Sequence, residues 1–242
     1  MTNEAARARR EGLAELAEDA VGFGGQELRL TRDLLLRPRA VMDAYDAHGS
    51  TAGGLYPKPL RYYLTLMGLY LLAIALLGGF ESSIARAFAQ NDPEILGKMA
   101  AEAHKSEGAL LADMDQWYAL LSIPLFALLT GGGTFLLIRR WSPGPDRQYF
   151  RQTFTYLNAF NLLGIPVGLC MLTFQVEGSW PLVGTFLLMA ITYARVGSGR
   201  WWRTPAGAIG KGLIFHMVLG LAAIVASITA VVLSIIGALV LP

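Results

Sequence analysis

Long apolar runs alternate with polar segments along this chain of 242 residues. The first run, Leu60 to Phe80, has no charged residue between Arg61 and Glu81. Its nineteen uncharged residues, each rising about 1.5 Å in a helix, cross most of the roughly 30 Å hydrocarbon layer of a bilayer. The pattern predicts an all-α polytopic membrane protein with about five transmembrane helices. The predicted spans, which make up a membrane domain over 60–242, are 60–80, 117–138, 154–174, 181–196 and 213–241.

Two polar regions precede the first span. Residues 1–24 predict a polar cytoplasmic helix of mixed charge, for which a solvated or frayed helix is the favoured interpretation. Residues 25–59 predict an interfacial region of two short amphipathic helices, divided at Arg37-Pro38 because proline disfavours helix before it and starts helices well. An apolar stripe recurs at helical spacing through Leu28, Thr31, Leu34, Leu35, Val41, Met42 and Tyr45. Two alternatives stay open: this stripe lies on the membrane surface, or it packs on the protein itself.

The longest connection between spans, residues 81–116, predicts a small external helical cap. Asp92-Pro93-Glu94 is a helix start signal, with an N-cap, a proline in the first turn and an acid after it. The connection carries three Lys or Arg residues among seven acids.

The distribution of basic residues predicts the orientation of the spans. With five spans, residues 1–61, 139–151 and 195–211 share one side and hold 9, 4 and 4 Lys or Arg residues. The short connection on the other side, 175–180, holds none. Because Lys and Arg near span ends mark the cytoplasmic side, the N-terminus is predicted inside and the C-terminus outside.

Composition limits the chemistry that this chain carries. Only 16% of the residues are charged, against about 25% in soluble domains. A single cysteine, Cys170, excludes an internal disulfide and a multi-cysteine zinc site. The N-terminus lacks a hydrophobic signal core, so no cleaved secretory signal is expected. The three histidines, His48, His104 and His216, fall at different levels of the predicted topology, and no metal or cofactor is predicted.

A candidate polar site lies inside the predicted membrane domain. Asn158 and Asn161 are three residues apart and share a helix face, and His216 falls in the first turn of the last span. One interpretation is a polar cavity between the third and fifth spans that opens to the cytoplasm. The favoured alternative is hydrogen bonding between helices, worth roughly 0.6–2 kcal/mol per bond.

A second candidate site is a set of cations that would contact anionic lipid headgroups at the cytoplasmic surface. Its members are Arg29, Arg32, Arg37, Arg39, Arg200 and Arg203. For Arg200 and Arg203, which flank two tryptophans, a simple interfacial belt is the favoured interpretation. Asp43, Asp46 and His48 could hold a cation, but the polar face of a surface helix explains them equally well and is preferred.

The stretch LTRDLLLRPRAVMDAYDAHGSTAGGLYPKPLRYYL resembles the core signature of a bacterial inner-membrane family of unknown function. The stretches YFRQTFTYLNAFNLLGIP and TYARVGSGRWWRTPAGAIGKG are similar to later parts of the same family. The resemblance implies a membrane domain of several helices in the bacterial cytoplasmic membrane, without an established activity. Many members carry an N-terminal zinc ribbon with paired cysteines, which this chain lacks, so no metal role transfers.

These patterns favour a non-catalytic membrane scaffold or accessory subunit, with anionic lipid and a protein partner or second copy as its contacts. The reasons are the scarcity of intramembrane charge, the lack of catalytic motifs and the many glycines suited to helix contacts. The alternative is a small permease or lipid-handling protein that uses Asn158, Asn161 and His216. An enzyme built on Asp43, Asp46 and His48 ranks third, and nucleic acid is not an expected partner.

The charge pattern makes a direct prediction about orientation. Reporter fusions at Ala103 and Pro242 should both report the external side, because the basic residues concentrate on the opposite side. Alkaline phosphatase and fluorescent-protein fusions at the two positions provide the measurement. A cytoplasmic signal at Ala103 would contradict the topology.

Overall fold

The fold comes from a computed structural model, which describes residues 24–77, 88, 94–174 and 180–240. The predicted helix at 1–24 and most of residues 81–93 lie outside the described residues. Within them the structure has eight α-helices and no strand. The helices are α1 (Gly25–Leu36), α2 (Pro38–His48), α3 (Pro59–Leu76), α4 (Ile95–Glu102), α5 (Glu107–Trp141), α6 (Asp146–Thr173), α7 (Trp180–Gly197) and α8 (Pro205–Val240).

The chain is an all-α polytopic membrane protein. Four helices are long and apolar enough to cross a membrane, namely Pro59–Leu76, Glu107–Trp141, Asp146–Met171 and Pro205–Val240. A shorter apolar helix, Val183–Gly197, corresponds to the predicted fourth span. The structure therefore has four helices of spanning length and one shorter helix, where the sequence predicted about five spans.

Several helices extend beyond the predicted spans. Helix α5 begins at Glu107, ten residues before the predicted start, so the last ten residues of the predicted cap are continuous with the spanning helix. Helix α6 begins at Asp146 and α8 at Pro205, each eight residues early. Hydropathy marks the stretch that suits hydrocarbon, whereas helical hydrogen bonding continues through the polar residues beyond it.

The predicted break between the two N-terminal helices is confirmed. Arg37 leaves helical geometry with φ −144° and ψ 59°, and Pro38 starts α2 at its first position. Gly49, with φ +85°, ends α2 in a conformation that residues with a Cβ rarely adopt. Local sequence chemistry thus sets both ends of α2.

The described residues form two compact units. The first contains residues 24–67 and 138–212, and the second contains residues 68–137 and 213–240. In the first unit, α1 and α2 pack on α6, and α6 packs on α7. The apolar side chains of α1 and α2 at the centre of this packing are buried, and they are Leu30, Leu34, Val41, Met42 and Tyr45.

The second unit closes around one end of α8. Ala100, Leu110, Met114 and Ala238 form a buried apolar cluster. Lys105 donates from Nζ to the carbonyl oxygen of Ala238 at 2.8 Å and to Asp113 at 2.7 Å. A cation at the C-terminal end of a helix satisfies free carbonyls and opposes the negative end of the helix dipole. The segment between α4 and α5 therefore caps α8.

The close approach of Trp117 to Gly237 gives a test of this second unit. A Cβ at position 237 would lie 2.7 Å from the Trp117 ring, whereas a Cβ at Gly132 would meet nothing within 4 Å. We expect Gly237→Ala to lower the free energy of unfolding by about 1–3 kcal/mol, because the rigid indole has to move. Thermal unfolding in detergent measures this, and Gly132→Ala is the matched control. Equal stability of the two variants would contradict the packing.

Candidate functional site

The first unit is organised around a stretch of α6 that is buried on every side. All residues from Gln152 to Ala159 are buried, although the sequence there is QTFTYLNA and half of it is polar. Buried polar groups need hydrogen-bond partners to offset the water that they lose. The partners of this stretch therefore define the most specific polar arrangement in the unit.

Arg200 joins three separate parts of the first unit. It lies in the connection from α7 to α8, and its guanidinium pairs with Asp43 and Asp46 of α2. Gln152 donates from Nε2 to Asp46 at 2.9 Å, and its own oxygen accepts from the Trp201 indole at 3.4 Å. These bonds hold α2, α6 and the 198–204 connection in one arrangement.

The charge on Arg200 is stabilised by this arrangement. Burial would lower the pKa of Arg200, but the hydrogen bonds to Asp43 and Asp46 and their negative charges raise it overall. Only 17% of the Arg200 side chain is exposed. Trp201 beside it is fully buried, with its ring centroid 5.9 Å from Tyr156 and 5.8 Å from Tyr193.

Asp33 forms the second polar centre of the unit. This carboxylate of α1 is buried and accepts a 2.8 Å hydrogen bond from the Tyr56 hydroxyl. Arg32 donates from Nε at 2.9 Å and Arg37 from Nη2 at 3.3 Å. Burial alone would raise the pKa of Asp33, but the hydrogen bonds from Tyr56, Arg37 and Arg32 outweigh it, so the pKa falls below the ordinary value.

The segment that leads into the first span is fixed by hydrogen bonds from three helices. Tyr45 of α2 donates to the carbonyl oxygen of Pro57 at 2.6 Å, and Asn158 of α6 donates to that of Pro59 at 2.8 Å. Thr31 of α1 shares a 2.5 Å hydrogen bond with the Tyr62 hydroxyl. The start of α3 is therefore held by α1, α2 and α6 together.

We call six buried or partly buried polar residues of the first unit the polar platform. Each makes at least one bond to a residue from another segment or loop of the chain. They are Asp33, Asp46, Tyr56, Gln152, Asn158 and Arg200.

The outer face of α1 combines leucines with arginines. Leu28, Leu35 and Leu36 are exposed, the last of them to 73%. Arg29 and Arg32 are also exposed on this side of the helix. A helix that presents aliphatic side chains and arginines together suits an interface between water and lipid.

The residues of the predicted apolar stripe of α1 are divided between an exposed and a packed face. Leu28 and Leu35 were assigned to one face with Leu34, but they are exposed. The packed face carries Leu30 and Leu34 together with the buried carboxylate of Asp33. Apolar spacing does not select this packed face, because the tyrosine that bonds the Asp33 carboxylate comes from elsewhere in the chain.

The predicted lipid-contacting arginines have different surroundings in the structure. Five of them are exposed, namely Arg29, Arg32, Arg37, Arg39 and Arg203. Arg200 is mostly buried, and its charge is taken by two carboxylates. A headgroup would have to compete with these carboxylates, so Arg200 belongs to the polar platform and makes a poor lipid contact. The pair Asp43 and Asp46, considered as a cation site with His48, holds an arginine.

The predicted intramembrane residues divide between the two units. Asn158 and Asn161 lie on α6 in the first unit, where Asn158 is buried and Asn161 is partly exposed. The bond from Asn158 to Pro59 connects two helices, which is one of the two roles considered for it. His216 lies in the second unit, so the grouping of the three residues stays a prediction.

Sequence reasoning missed Gln152 and Tyr56. Each lies beside an apolar run, in a short segment whose composition is typical of a helix end or a turn. For Asp33 the sequence did offer a signal of burial, because this acid lies within three residues of a leucine on each side, Leu30 and Leu34, and both are buried. Among the described residues, no group of three or more His, Cys, Asp and Glu side chains is placed to hold a metal ion.

Comparison of the chain with protein-family models, curated proteins and solved structures found no match. No family therefore supplies an activity. The resemblance to a bacterial inner-membrane family stays a prediction.

The lowered pKa of Asp33 predicts how stability depends on pH. Because this pKa is lower in the folded protein than its ordinary value of about 3.9, the charged carboxylate stabilises the fold above that value. This contribution should be lost progressively as the pH falls below about 4 and through the lowered pKa of the folded protein, because the carboxylate is then protonated. Thermal unfolding across this range measures the effect.

Asp33→Asn should reduce the acid-dependent loss of stability and lower stability at pH 7 by about 2 kcal/mol, because charge-assisted hydrogen bonds are lost. Asp146→Asn is the control, since the Asp146 side chain is 68% exposed. The same pH dependence in wild type and Asp33→Asn would show that Asp33 does not contribute.

Proposed function

We propose that this chain is a non-catalytic integral membrane scaffold or an accessory subunit of a membrane protein assembly. The observation that supports the proposal most is the polar platform. Its acid, amide and guanidinium groups are used for bonds between distant parts of the chain, such as Asp46 to Gln152 and Asn158 to Pro59. Groups held in this way give a fixed shape, which a scaffold needs.

The proposal assigns the polar platform to the cytoplasmic side of a bacterial inner membrane, with the N-terminus inside. The excess of Lys and Arg in the segments around it supports this side. The exposed leucines and arginines of α1, described above, then face anionic lipid at the membrane surface. In this arrangement α1 anchors the unit, and the rigid α2, α6 and 198–204 assembly presents a surface to a partner.

Lipid handling is the second candidate function, and one observation favours it. The Oδ1 atom of Asn158 is buried and has no hydrogen-bond partner among the described residues. An amide with one satisfied and one unsatisfied end can accept a bond from a polar ligand. The identity of what co-purifies, protein or lipid, separates the two functions.

The scaffold proposal predicts a stoichiometric partner, or a second copy, after purification in mild detergent with crosslinking. Arg200→Met should release that partner, because it leaves Asp43 and Asp46 without their cation. Removing one partner of a buried ion pair lowers the free energy of unfolding by about 3–5 kcal/mol. Because the Asp43 side chain is 56% exposed, we expect Arg200→Met to lower it by about 2–4 kcal/mol. Native mass spectrometry gives the stoichiometry.

Arg203→Met is the matched control, since Arg203 is exposed and lies three residues further along the same connection. It should retain the partner. A lone monomer of the wild-type chain in several detergents would contradict the scaffold. Retention of the partner by Arg200→Met would contradict the role of the polar platform.

A further inference from the structure

Arg151 has an environment unlike that of Arg200. It lies in the second turn of α6, directly before Gln152, and its side chain is only partly exposed. Its Nε is buried and has no hydrogen-bond partner within the described residues. A guanidinium that loses water without gaining an acceptor costs free energy, so an anion at this position would stabilise the protein.

The guanidinium of Arg151 lies beside a glycine turn. A Cβ on Gly49 would lie 3.9 Å from Nη1 of Arg151, so the guanidinium approaches the end of α2. The turn that follows has positive φ at Ala52, Gly53 and Gly54. The N–H groups of Ala52 and Gly54 already donate to the carbonyl oxygens of Gly49 and Thr51, so the guanidinium of Arg151 supplies the donors of the site.

The carboxylate of Asp46, which bonds to Gln152 next to Arg151, is already paired with Arg200. Asp46 accepts from Gln152 and pairs with Arg200 through Oδ2, while its Oδ1 is buried and has no hydrogen-bond partner in the described part of the chain. The charge of Asp46 is thus compensated by Arg200, and Arg151 keeps its own positive charge for another anion. A planar guanidinium binds the tetrahedral oxygens of phosphate through paired hydrogen bonds.

The position of Arg151 along α6 fits a ligand from the polar side of the membrane. Asn158 is at the level of Pro59, the first residue of α3. Arg151 precedes Asn158 by seven residues, which is about 10 Å of helix at 1.5 Å per residue. A phosphate can reach this level from solution or from a lipid headgroup.

We propose that Arg151 is the central residue of a phosphate-binding site at the Gly49 end of α2. The phosphate belongs either to an anionic phospholipid or to a free phosphate compound. This site goes beyond the scaffold function and does not depend on it, since the partner-release experiment involves neither Arg151 nor phosphate.

The test uses the full chain in dodecyl maltoside and two probes. Inorganic phosphate is titrated by isothermal calorimetry, and phosphatidylglycerol in mixed micelles is followed by native mass spectrometry. We expect saturable binding of at least one probe. Arg151→Gln should weaken it roughly tenfold or more, as expected for the loss of a charge-assisted contact. Binding of phosphatidylglycerol alone would identify a lipid headgroup, and binding of phosphate would identify a free ligand.

Arg147→Gln is the matched control, because Arg147 lies one turn earlier on α6 and is exposed. It removes the same charge and should change the affinity less than about twofold. Arg151→Lys keeps the charge but removes Nε, so it decides the question if Arg151→Gln does not fold. Its affinity should fall by severalfold. Equal effects of the 147 and 151 substitutions, wild-type affinity in Arg151→Lys, or no binding of either probe would overturn the proposal.

Discussion

The first unit depends on one constraint, which is the need to bond the two amide side chains on the buried stretch of α6. Gln152 and Asn158 are both 1% exposed, so neither side chain reaches water to any useful extent. Each instead bonds to the N-terminal part of the first unit, Gln152 to Asp46 of α2 and Asn158 to the carbonyl oxygen of Pro59 at the start of α3. An unbonded amide at either position would destabilise the packed state, so these bonds specify where α2 and the start of α3 lie on α6.

Buried charges of the first unit need partners in the same way as its buried amides. Asp46 is only 13% exposed on its side chain, and its charge is tolerated because Arg200 and Gln152 both bond to it. Buried pairs contribute less to net stability than their Coulomb attraction suggests, because both partners lose water. Their larger effect is that alternative packings leave a charge unpaired. The connection after α7 is therefore restricted to one position against α2.

Much of the architecture could be predicted because the thickness of the bilayer sets the length of a spanning helix, and the hydropathy of the sequence shows apolar runs of that length. The predicted spans at 60–80 and 213–241 correspond to the helices Pro59–Leu76 and Pro205–Val240, both of spanning length, and Pro38 marks the start of α2 as expected. The polar platform could not be predicted in this way. Asp33 and Tyr56 are 23 residues apart and Asp46 and Gln152 are 106 apart, and nothing local in the sequence pairs them.

The packed face of α1 could not be predicted, for the same physical reason. Five leucines in twelve residues cover more than one face of this helix, so apolar spacing alone does not select the packed face. The deciding factor is which face can also bond Asp33, and that face must meet Tyr56. Long-range polar pairing therefore selects among apolar faces that are otherwise equivalent. This selection leaves leucines on the outside of α1, where a membrane surface can accept them.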